Sequence, residues 1–207
     1  METLVFILEI IGTIAFAASG AMVGINKKMD IFGVCILGLT VSVGGGIIRD
    51  LILGNTPPNT FQTPVYALVA IGVSIIVFIP KVRNLLKKTP RGYEMTMRIM
   101  DSVGLGIFTV VGVQVAFSAP YEVGYFLVIF VGVITGVGGG IIRDLFADDV
   151  PYIFVKHIYA CASLVGAILC AVLWNITGEA AAMIIGSTAV IALRLLAAHF
   201  RWSLPKA

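Results

Sequence analysis

The chain has 207 residues, of which 59% are hydrophobic and only 12% charged, with 23 glycines and a formal net charge of +3. Soluble domains carry about 25% charged residues, so 14 Lys and Arg with 11 Asp and Glu are too few to coat a water-soluble globule of this length. The composition excludes an ordinary soluble enzyme, a disordered tail protein and a nucleic-acid binder, and it leaves an integral membrane protein.

The charges leave seven neutral gaps, each to be compared with the roughly 20 apolar residues that cross about 30 Å of hydrocarbon. In chain order the gaps predict helices over 3–25, 31–53, 65–80, 99–118, 123–146, 157–174 and 180–198. The third is the shortest and is expected to continue past Pro80. The segments between them carry turn chemistry, as in NKKMD, NTPPNTFQTP, SAPYE, ADDVP and NITGE. The runs do not alternate apolar with polar residues, so a β-barrel is excluded. The first segment lacks a basic leader and contains Glu9, which makes it a true span rather than a signal peptide.

Seven spans put the termini on opposite sides. Lys27, Lys28, Lys81, Arg83, Lys87, Lys88, Arg91, Arg98, Lys156, Arg194, Arg201 and Lys206 fall to one side and no Lys or Arg to the other. The positive-inside rule then predicts an N-terminus outside and a cytoplasmic C-terminus. The basic stretch 81–98 fixes this orientation, and membrane lipid is the partner its charge would meet. Two arginines, Arg49 and Arg143, are left inside predicted spans.

The octapeptide GGGIIRDL occurs twice, at 44–51 and 138–145. At the same offset Gly38 stands opposite Gly132 and Pro57 opposite Pro151; with a two-residue gap, Glu9, Gly12, Phe16 and Gly20 stand opposite Asp101, Gly104, Phe108 and Gly112. The expected fold is therefore all-α and membrane-integral. Residues 1–80 and 99–175 form two three-helix repeats, 81–98 a basic linker, and 176–207 a seventh helix and tail. Three is odd, so the repeats enter the membrane in opposite senses and meet around a pseudo-two-fold axis, where solute and ion sites characteristically lie.

Glycine triplets Gly44, Gly45, Gly46 and Gly138, Gly139, Gly140 sit inside predicted spans, at a cost of about 1 kcal/mol per residue in helix propensity relative to Ala. Small residues permit close helix packing, but three in a row circle the helix, so local unwinding or a kink beside a wet cavity is expected. An Arg at the centre of a span costs about 2.5–3.5 kcal/mol on insertion scales and calls for a partner. By depth, Arg49 is expected to approach Glu9, and Arg143 to approach Asp101, each pair closing one mouth of a pathway. Adjacent residues on a helix do not face one another, so Asp50 and Asp144 are not expected to be the main partners of these arginines. No Ser-His-Asp set, phosphate loop or metal motif can be assembled, so neither catalysis nor a cofactor is expected.

With its outside N-terminus, two three-helix repeats and a GGGIIRD segment in spans two and five, the chain resembles the prokaryotic trimeric intracellular cation channel (TRIC) family over about 4–198. Bacterial members have also carried a domain label suggesting glycine transport. The resemblance implies a homotrimer with one pore per protomer, permeable to monovalent cations, chiefly potassium with sodium beside it. The glycines of spans two and five would line that pore. The Lys-Glu-Val motif through which animal members bind a phosphoinositide is absent here. Two rival readings stand beside the channel: a secondary carrier of a small solute such as glycine, built on broken helices, and a membrane scaffold.

Overall fold

The computed structural model describes residues 2–86, 89–155, 158–200 and 202. Lys87, Lys88, Lys156, His157, Arg201 and Lys206, named above as loop or boundary residues, lie outside them, as does the side chain of Arg91.

Each long helix starts or stops where its local chemistry says it should. Asp30 accepts a hydrogen bond from Gly33 N at 2.7 Å and opens α2 (Ile31–Ile52) directly after α1 (Glu2–Asn26). A short α3 (Asn59–Gln62) precedes α4 (Val65–Phe78), whose 14 residues reach only about 21 Å and cannot span the hydrocarbon alone. The expected continuation exists as α5 (Pro80–Leu86), but it leaves α4 at 76°. The break is at Ile79, with φ −53° and ψ 129°, because the residue before a proline is driven out of the helical region.

Helix α6 (Pro90–Phe117) begins well before the expected 99, so the end of the basic stretch is helical. Thr89 caps it by accepting from Gly92 N at 3.1 Å, and Pro90 fits its first turn. Then come α7 (Tyr125–Phe146), the short α8 (Tyr152–Val155), α9 (Tyr159–Thr177) and α10 (Glu179–His199). Only Gly178, at φ 86°, separates the last two. Among the described residues six helices are long and apolar enough to cross a membrane, and the bent α4–α5 pair makes a seventh candidate when the two are taken as one span.

The packing repeats as the sequence does. Helices α1, α2 and α4 pack on one another, and so do α6, α7 and α9; the two units meet through α1 on α6 and α2 on α7, while α10 lies against α6 and α9. Phe16 fills the space beside Gly104, and Phe108 contacts the position a Cβ on Gly12 would take. The two rings lie tilted at 33° with centroids 5.3 Å apart between the units. The senses are opposite. Lys27, just past α1, bonds Asp149, just past α7, at 2.8 Å, whereas Tyr121, past α6, donates to the carbonyl of Leu53 at the end of α2 at 2.9 Å. Equivalent helices α2 and α7 therefore end at opposite ends of the bundle, which is the inverted repeat.

Candidate functional site: two buried ion clusters

The helices α2 and α7 run unbroken through both glycine triplets, so the expected local unwinding does not occur. The glycines serve close approach instead. A Cβ on Gly45 would collide with the carbonyl oxygen of Thr135, one on Gly139 with that of Val41, and one on Gly138 would stand 3.0 Å from Gly45 Cα. Gly44 and Gly140 make room for Ile142 and for the Tyr159 hydroxyl, while Gly46 meets nothing nearer than Arg49 Nη2 at 3.8 Å. Five of the six glycines are thus closely approached by another helix, Gly46 borders a cavity instead, and both helices stay unbroken.

One turn beyond each triplet stands its arginine, with the expected acid beside it. Arg49 Nη1 lies 3.9 Å from Glu9 Oε1, and Arg143 Nη1 is hydrogen-bonded to Asp101 Oδ1. The neighbouring aspartates are also direct partners, contrary to the expectation from helix geometry. Arg49 Nε bonds Asp50 Oδ1 at 2.8 Å, closer than Glu9, and Arg143 Nε bonds Asp144 Oδ1 at 2.9 Å. Each arginine is long enough to fold back sideways. Each carboxylate is also turned toward it by its second oxygen, which accepts Asn59 N at 2.9 Å for Asp50 and Tyr152 N at 2.8 Å for Asp144. The short helices α3 and α8 are thereby tied to the two clusters in the same way.

Four participants escaped the sequence reading. Tyr66 donates to Glu9 Oε2 and Tyr159 to Asp101 Oδ1. They occupy matching places in the two repeats, one residue off the main offset, and extending the comparison past Pro57 and Pro151 would have found them. Ser19 accepts from Arg143 Nη1 at 2.8 Å. Arg194, counted above among the cations of the cytoplasmic face, is buried at 5% exposure, with Nη2 3.7 Å from Asp101 Oδ2 and its guanidinium 4.6 Å from the centre of the Tyr159 ring. Its position inside the predicted 180–198 span was the available signal.

The clusters differ in access and in charge. The Glu9 side chain is 14% exposed, and with Arg49 and Asn59 it lines two adjoining cavities. The wider, about 560 Å³, is open and edged by Asn55 and Gln62; the narrower, about 30 Å³, runs along Thr13, Ser42 and Gly46 to Phe108. This first cluster sets two carboxylates against one guanidinium. The second sets Asp101 and Asp144 against Arg143 and Arg194, all at most 5% exposed.

Two oppositely inserted three-helix units, with an acid–arginine cluster at the end of each crossing helix, define a multi-pass membrane protein of the inverted-repeat class. A family model described as Glycine transporter matches residues 6–81 and 98–175, and the UPF0126 inner membrane protein YadS of Escherichia coli K12 is 37% identical over 205 residues, covering 98% of this chain and 95% of the relative. The UPF0126 membrane protein YvgT of Bacillus subtilis is 32% identical over 200 residues, 96% of this chain and 94% of its own. Among solved structures, a prokaryotic TRIC channel crystallised in 0.5 M KCl superposes with a TM-score of 0.89 at 33% identity over 99% of this chain and 100% of that one. The TRIC orthologue from Rhodobacter sphaeroides does so at 0.87 and 32% identity, over 97% and 100%. The chain belongs to the prokaryotic TRIC family.

Proposed function

We propose that the protein is a cation channel of the prokaryotic inner membrane, not an enzyme, with potassium as its chief permeant ion and sodium beside it. It assembles as a homotrimer whose protomers each carry a pore along α2 and α7. The observation that carries this reading is the pair of adjoining cavities, the wider lined by Glu9, Arg49 and Asp50, the narrower sharing Glu9 and Arg49 and continuing past Thr13, Ser42 and Gly46. Two carboxylates against one guanidinium leave that constriction net negative, which draws cations and repels anions. The related structures whose descriptions speak of conductance through TRIC cation channels, 34% identical over 97% of this chain, support the same reading.

The cation distribution favours an N-terminus outside, so the Glu9 cluster faces outward and the Asp101 cluster the cytoplasm. Membrane lipid surrounds the bundle and meets the basic segment around Lys81 and Arg83. The carrier alternative rests on the inverted repeat and on broken helices, and α2 and α7 are unbroken at their glycines.

Purified protein in liposomes tests the proposal through potassium, sodium and glycine flux together with single-channel recording. Discrete potassium currents that shrink in Glu9→Gln, with the fold retained, are the expected result. Saturable glycine uptake without unitary currents would replace the channel with a carrier.

A further inference from the structure

We infer that Arg194, supplied by the one spanning helix outside the repeat, is the removable counter-charge that keeps the cytoplasmic end of the pathway closed to cations. The inference rests on the channel reading above.

The groups that face the second cluster come from six helices: Ser19 of α1, Asp101 of α6, Arg143 and Asp144 of α7, Tyr152 of α8, Tyr159 of α9 and Arg194 of α10. Arg143 is held by Asp101, by Asp144, by Ser19 at 2.8 Å and by the Tyr152 ring at 5.2 Å. Arg194 is held far more loosely. Among the described residues its ion-pair contact is 3.7 Å long, to Asp101 Oδ2, and its guanidinium lies over the Tyr159 ring. Among the described residues Asp101 Oδ2, Arg143 Nη2 and Arg194 Nε are buried without a hydrogen-bond partner, although Arg143 Nη2 lies 2.9 Å from Asp144 Oδ1. Such groups in a native protein mark a site that is poised rather than sealed.

Charge accounts for the consequence. With Arg194 in place the second cluster is neutral; without it, two carboxylates face one guanidinium, the same balance as at the first cluster, which opens on a cavity. The first cluster has no fourth charged member among the described residues. Helix α10 packs on α6 and α9, so a shift of α10 withdraws Arg194 while the α2–α7 crossing stays intact. Opening the cytoplasmic end to cations is then a movement of Arg194 away from Asp101, with Arg143 left in position.

The test is potassium flux by full-length protein in liposomes, comparing wild type with Arg194→Gln, Arg194→Met, Arg194→Lys and Arg98→Gln. Arg98 is an exposed cation that, among the described residues, pairs with Glu94 on its own helix at 3.3 Å, and it controls for general surface charge. Both neutral variants should raise flux about tenfold, the scale on which a single charge acts at a narrow, poorly solvated site. Arg194→Lys should bring flux back toward the wild-type level, and Arg98→Gln should not raise it. Neutral variants that are monodisperse yet conduct no better than wild type overturn the inference, as does an equal rise in Arg98→Gln. Failure of both neutral variants to fold also overturns it, since a residue the fold cannot lose is not one the pathway releases. A wild type without potassium flux instead refutes the channel reading itself.

Discussion

Gly45 and Gly139 face each other where α2 crosses α7, each seated against the carbonyl oxygen one turn before the other: Gly45 against Thr135, Gly139 against Val41. The contact is its own mirror under exchange of the repeats, and the obstacle on both sides is backbone, which cannot rotate away. Small residues let helices approach this closely in a membrane, where packing rather than the hydrophobic effect drives association.

Gly45→Ala and Gly139→Ala should therefore each cost at least the 1–3 kcal/mol or so that overpacking takes from a tight core. Gly46→Ala, whose added methyl meets only Arg49 Nη2 at 3.8 Å, should be close to neutral. Thermal unfolding of the detergent-purified variants separates the two classes, and equal melting temperatures across the three would refute the packing role.

Arg143→Met strands Asp101 and Asp144 in the interior without their main partner, a change expected to cost about 3–5 kcal/mol. The double variant Arg143→Met with Asp101→Asn should recover part of that loss. Arg49→Met should be milder than Arg143→Met, because Glu9 borders a cavity into which water can follow. Melting temperatures of the four proteins form the comparison; an Arg49 effect larger than the Arg143 effect would contradict the difference in burial.

Asp148 ends α7 at φ 53°, in the place that Gly54 takes after α2 at φ 73°. In both turns the following amide closes the helix, Asn55 N on Asp50 O at 2.8 Å and Asp149 N on Asp144 O at 2.9 Å. Asp148→Gly should thus stabilise the protein by about 0.5–1 kcal/mol, relieving a left-handed side-chain residue. A lowered melting temperature would show that the Asp148 side chain contributes something glycine lacks.

The 2.8 Å contact between Lys27 and Asp149 offers a reading of sidedness. With Cys35, Cys161 and Cys170 replaced by Ala, Lys27→Cys and Asp149→Cys should cross-link on oxidation. Each alone should react with an impermeant maleimide from the cytoplasmic side only. Labelling from outside the cell would invert the proposed orientation.

The spans were legible because the hydrocarbon demands long neutral runs, and the inversion followed from an odd helix count in an exact octapeptide repeat. The Arg49–Glu9 and Arg143–Asp101 pairings were legible for the same reason: with so few intramembrane charges, depth alone matched them. What the sequence concealed depended on side-chain reach. Helical angles separate Arg49 from Asp50, yet a folded-back guanidinium and a loop amide at Asn59 bring them together. Likewise the glycine triplets looked like breaks, because propensity counts the cost of each glycine and not the approach of a second helix that offsets it. Arg194 was masked by its nearness to the end of a span, where cations ordinarily reach headgroups.

Two units related by inversion have no intrinsic polarity: whatever one presents upward, the other presents downward. Helix α10 is added once, packs on the acid-bearing α6, and brings Arg194 to Asp101, with no counterpart at Glu9 among the described residues. The appended helix thus adds a charge to one end of a duplicated scaffold whose two ends already differ in access, and rectification of ion current should be sought at that helix before any loop.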